Sequence, residues 1–79
     1  MEGDDRMRAK IRLDTMQDIK QLVAICTKID EPVYITDGTG LRVSAKSILG
    51  VRYSMEFADI WCECETDIYG HIEHFIIID

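Results

Sequence analysis

The sequence predicts an α+β fold, an open-faced sandwich whose four-stranded, mainly antiparallel sheet carries three helices on one face. Three observations predict it. Segments of alternating hydrophobicity are interleaved with segments of helical periodicity, the pattern of one sheet packed against one helical layer. Two strands flank the turn Asp37-Gly38-Thr39-Gly40, and a hairpin rules out a purely parallel sheet. The chain has 79 residues, which allows one domain with a single modest core.

The elements follow in the order strand, helix, strand, strand, helix, strand, helix. Residues 1–8 are polar and unpatterned and are expected to form a flexible lead-in, leaving 9–79 as the domain. Ala9 to Leu13 alternates, with Ala9, Ile11 and Leu13 on one face and Lys10 and Arg12 on the other; this is a half-buried strand. Asp14 or Thr15 offers an N-cap, and Asp18 adds acid to the first turn. Met16, Ile19, Leu22, Val23, Cys26 and Ile29 recur at helical spacing, the clearest amphipathic helix of the chain. Asp30-Glu31-Pro32 ends it, because proline disfavours helical geometry in the residue before it.

Val33 to Thr36 is the second strand. Leu41 to Ala45 is the third, with Leu41, Val43 and Ala45 facing one way. Ser47 is a suitable N-cap for a short helix running from Ile48 to about Met55. Ile60 to Glu65 is the fourth strand, with Ile60, Cys62 and Cys64 assigned to the core and Trp61, Glu63 and Glu65 to solvent. Thr66-Asp67 opens a last helix with Ile68, Ile72, Phe75 and Ile76 on one side. Gly70 weakens that helix by about 1 kcal/mol relative to alanine. Phe75 to Ile78 reads equally as helix or strand.

Composition excludes several classes. The net charge of −6 and the scattered basic residues argue against nucleic acid as the main partner and weaken attraction to an anionic membrane surface. No apolar run approaches the roughly 20 residues that span a bilayer, and Met1-Glu2-Gly3-Asp4-Asp5 has no apolar signal core. With three cysteines, an odd number, reduced thiols and a cytoplasmic location are expected. There is no Ser-His-Asp set and no glycine-rich phosphate loop before a helix, so no catalysis and no cofactor are implied.

The segment Leu41 to Val51 reads LRVSAKSILGV. It resembles the middle of the HPr proteins, the phosphocarriers of the bacterial sugar phosphotransferase system, where a strand runs into an AKS-[IL]-[LM]-G-V signature. The match is contiguous from Ala45 to Val51, and a weaker resemblance covers about Lys10 to Ile76. It implies the HPr-like sandwich in the order βαββαβα. Phosphate-carrying members have a Gly-Leu-His-Ala-Arg-Pro-like stretch between the first strand and first helix. Here that stretch is Asp14-Thr15-Met16-Gln17-Asp18, several residues shorter and without histidine, arginine or proline. The resemblance therefore implies an HPr-like protein without phosphohistidine transfer, acting as a regulatory or protein-binding module.

The same resemblance assigns candidate residues. Ser47 aligns with a serine that an ATP-dependent regulatory kinase phosphorylates in some members. Phosphate there would lie at the positive end of a helix, with Lys46 adding positive charge; alternatively Ser47 is only an N-cap. Ile48, Leu49 and Arg52 align with the family's partner-docking patch, whose partners are the upstream enzyme, a regulator or a kinase. Arg52 departs from its usual apolar character, and the alternative is that Leu49 and Val51 pack the core. Cys62, Cys64, His71 and His74 contain the ligand types of a zinc site, but C-x-C spacing is uncommon and its strand phase places both sulfurs in the core. Trp61 and Tyr34 are expected to share the open sheet face, with Arg12 nearby, either as a cross-strand aromatic pair or as a contact surface that includes a homodimer.

Overall fold

The computed structural model describes residues 7–77. The elements are β1 (Met7–Ile11), α1 (Met16–Thr27), β2 (Val33–Thr36), β3 (Arg42–Ser44), α2 (Ile48–Tyr53), β4 (Ile60–Cys64) and α3 (Tyr69–Ile72). Their order is the predicted one. Short 3-10 turns at Ser54–Glu56 and Glu73–Phe75 extend α2 and α3.

The sheet order is β1-β4-β2-β3 and every pair is antiparallel. The last strand in sequence thus lies between the first and the second. Cys62 stands opposite Ala9 on one side and Ile35 on the other. Strand alternation then sends Ile11, Val33, Ile35, Cys62 and Cys64 to one face. There they pack with Ile19, Leu22, Val23 and Cys26 of α1, Val51 of α2 and Ile72 of α3. Among the described residues no helix covers the other face. This is the α+β open-faced sandwich read from the sequence.

Several boundaries differ for reasons of pairing. β1 begins at Met7, so Met7 and Arg8 belong to the sheet; residues 1–6 of the expected lead-in lie outside the described residues. The cause is distant in sequence. β4 pairs Cys64 with Met7, and the Met7 sulfur accepts a hydrogen bond from the Ile68 backbone N–H at 3.1 Å. β1 stops at Ile11 because its partner starts at Ile60. Arg12 donates its backbone N–H to Phe75 instead.

Leu41, expected to open the third strand, lies outside β3 and is 42% exposed. Thr36 pairs with Arg42, so Leu41 falls in the turn, beyond the ladder. That turn requires glycine: Gly38 and Gly40 have φ of 88° and 119°, a region that side chains disfavour. Met16, expected on the buried stripe of α1, is also exposed, because it is the helix's first residue. Helix α1 ends at Thr27, yet Ile29 stays buried in the following loop.

The C-terminal segment resolves the ambiguity at Phe75 in favour of neither long alternative. A 3-10 turn closes at Phe75, and Ile76 then makes a single antiparallel bridge to Ile11. Ile78 lies outside the described residues. α3 is only four residues long, shorter than the predicted helix, and it has no side-chain cap at Ile68.

Cys26, Cys62 and Cys64 are all buried. Burial pushes the Cys26 thiol up to about 11 and the Cys62 thiol up to about 12 from an ordinary 9.0. A thiol-specific reagent at neutral pH is expected to leave the native protein unmodified and to react with all three cysteines after unfolding. The same shifts set the sign of an alkaline effect. Stability is complete below pH 9.0 and falls as the pH rises towards about 11 and 12, because unfolded thiols ionise first. A denaturant midpoint measured across that range checks it.

Candidate functional site

The connection between β1 and α1 is built to start a helix. It consists of Arg12, Leu13, Asp14 and Thr15, of which Leu13 is buried. The Thr15 hydroxyl accepts from the Asp18 backbone N–H at 3.1 Å, and the Asp18 carboxylate accepts from Asp14 and Thr15 at 2.9 and 3.1 Å. This is a capping box, which satisfies N–H groups that the helix leaves unpaired. The hydrogen bond from Asp14 is the main reason the Asp18 carboxyl lies below its ordinary value.

A cleft beside this connection is lined by Arg12, Asp14, Asp18, His74 and Phe75. His74 comes here because the Ile76–Ile11 bridge draws the C-terminal segment alongside β1. Its ring meets Phe75 edge-on at 5.2 Å. Sequence reasoning missed this neighbourhood, since no local signal links residue 74 to residue 14. The cleft thus gathers one guanidinium, two carboxylates and an imidazole.

On the other side of the helical layer, α2 presents the residues selected from the sequence. Ser47 is its N-cap, with φ −110° and ψ 120°, and its hydroxyl accepts from the Gly50 N–H at 3.1 Å. Gly50 lets this turn press on β3. A Cβ there would stand 3.2 Å from the Val43 Cβ and 3.3 Å from the Ser44 carbonyl oxygen. Val51 is fully buried and anchors the helix.

The opposite side of α2 is open. Leu49 is 82% exposed, Ile48 46% and Tyr53 53%, and Arg52 is exposed beside them. These four positions share one helical face. The reading of Leu49 as a core residue is corrected: Val51 takes the core position and Leu49 points away. Tyr53, which sequence reasoning did not select, completes the face and meets Phe57 edge-on at 5.7 Å. The Lys46 ammonium donates to the Ile29 carbonyl at 2.6 Å, so it ties the loop after α1 to the start of α2.

The open face of the sheet carries two rows of side chains. Arg8, Glu63, Tyr34 and Ser44 form one; Lys10, Trp61, Thr36 and Arg42 form the other. Tyr34 and Trp61 are diagonal neighbours. Each ring is covered by a cation: the Arg8 guanidinium lies 4.7 Å from the Trp61 centroid, and the Arg42 guanidinium 4.7 Å from that of Tyr34. The expected aromatic pair is thus replaced by two cation–π stacks. Arg12 lies just beyond β1, lining the cleft with His74 on one side and a groove with Lys10 and Asp59 on the other.

Cys62 and Cys64 are in the core, whereas His71 and His74 are exposed. Among the described residues no three His, Cys, Asp or Glu side chains form a group that could hold a metal ion. No described helix is long and apolar enough to cross a membrane. Comparison with known protein families, with curated proteins and with solved structures finds no match to this chain.

Replacing Ser47 by alanine should lower stability by about 1 kcal/mol through loss of the cap, whereas S47D should retain most of it. Chemical denaturation of the two variants tests this directly.

Proposed function

We propose that this chain is an HPr-like protein-binding module without phosphohistidine transfer, and that α2 is its docking element. The observation that carries the proposal is the outward face of Ile48, Leu49, Arg52 and Tyr53, three large apolar side chains and one cation on a helix that Val51 alone anchors. Side chains left in water beside the AKSILGV segment form a contact surface of the kind that a partner desolvates. The capping box in place of a histidine loop supports the absence of phosphotransfer. So does the cleft around His74, where the carboxylates of Asp14 and Asp18 outnumber the single guanidinium of Arg12.

Ser47 lies at the edge of the docking face, with its hydroxyl exposed and its hydrogen bond directed to the Gly50 N–H. Phosphorylation by the regulatory kinase of HPr-type proteins would add negative charge beside that surface and change which partner it accepts. In this reading the protein acts in regulation of bacterial sugar uptake, in the cytoplasm, through a protein partner.

The test offers the protein ATP with that kinase and, separately, phosphoenolpyruvate with the upstream phosphotransferase enzyme, and locates label by mass spectrometry. Label on Ser47 from ATP alone is expected. L49E should abolish that labelling without lowering the melting temperature, because Leu49 makes little contact with the core. Phosphohistidine at His71 or His74 would overturn the reading.

A further inference from the structure

We propose that the open face of the sheet is a second docking surface, one that binds an acidic peptide segment of a protein partner through Arg8 and Arg42. The surface lies on the opposite side of the sheet from the helical layer and is independent of the α2 reading.

The geometry begins with the two stacks. A guanidinium held over an aromatic ring keeps N–H groups at its edge that a carboxylate can meet in fork geometry. The Arg8 and Arg42 guanidiniums each lie 4.7 Å from the ring centroid beneath them, Trp61 and Tyr34 respectively. Glu63 stands between them, but its oxygens are 3.6 and 3.8 Å from the two guanidiniums, beyond good hydrogen-bond distance. The resident carboxylate therefore offsets charge without saturating the donors. Both arginine side chains are about half exposed, at 47% and 54%.

The stacks also pre-order the surface. Gly38 of the β2–β3 turn sits so close that a Cβ there would be 2.9 Å from the Arg8 Nη2 and 3.3 Å from the Trp61 Nε1. The turn thus restrains the Arg8–Trp61 pair from one side. An arginine already confined loses less entropy when it binds.

Charge selects the occupant. The chain carries −6 overall, yet among the described residues Arg8, Lys10 and Arg42 gather on this face with the ion-pair partners Glu63 and Asp59, the latter 3.1 Å from Lys10. A partner bringing carboxylates complements this local excess. A second copy does not, because a two-fold contact would set the three cations against their own images.

Trp61 is the only tryptophan, so its fluorescence reports on the site. The full chain is titrated with a blocked octapeptide of glutamate at near-physiological salt. A saturable change in Trp61 emission is expected. R8Q together with R42Q should weaken it about tenfold or more while the melting temperature is retained. E63Q should tighten it, because the competing resident carboxylate is neutralised. L49E should leave it unchanged, which separates this surface from α2. Absence of a saturable change, weakening by E63Q, tighter binding of an oligothymidylate than of the peptide, or a concentration-dependent dimer by light scattering would each overturn the proposal.

Discussion

Strand β4 sits between β1 and β2, and most of the structure follows from its register. It hydrogen-bonds on both sides, so every second side chain along it is assigned to a face with no freedom to slip. Cys62 and Cys64 are sealed under the helices, and Trp61 and Glu63 are placed on the open side. A slip of one residue would bury Glu63 and expose both thiols. The same register draws Met7 into the sheet and, through the Met7–Ile68 hydrogen bond, sets where the C-terminal segment begins.

Because the sheet has one covered and one open face, the molecule has two chemically distinct sides. The helical side ends in α2, where a single buried anchor and a glycine-enabled close contact with β3 hold a short helix whose outer face is apolar. The sheet side is polar, with cations stacked on aromatic rings. An apolar helix face and a stacked arginine pair suit different partners. The fold keeps them apart by the thickness of one core layer.

The short β1–α1 connection illustrates how local chemistry limits function. Four residues suffice to leave the strand and enter the helix, and the polar groups of Thr15 and Asp18 are spent on capping N–H groups. That connection contains no histidine. The histidine that reaches the neighbourhood, His74, arrives from the other end of the chain and meets two carboxylates.

Much of this was legible in the sequence because it is local or periodic. The stripe Ile19, Leu22, Val23 and Cys26, the alternation around Cys62 and Cys64, and the caps at Thr15 and Ser47 are each fixed by neighbours within about one helical turn or one strand pleat. Of the α2 face, Ile48, Leu49 and Arg52 came from family resemblance, while Tyr53 awaited the structure. Leu41 was misplaced because strand phase says nothing about where pairing stops. Arg8 was lost to the lead-in because its partners, Glu63 and Trp61, are far along the chain.

The sequence by itself determined the kinds and order of the elements, the inward face of each long one and the absence of a histidine loop. The tertiary structure decided which strands are neighbours, which cation covers which ring, that His74 lies beside Asp14 and Asp18, and that Leu49 points to solvent while Val51 points in. The physical reason is the range of the interactions. Capping and periodicity act between residues close in sequence, whereas strand insertion, stacking and the C-terminal bridge are contacts whose partners are brought together only by the folded chain.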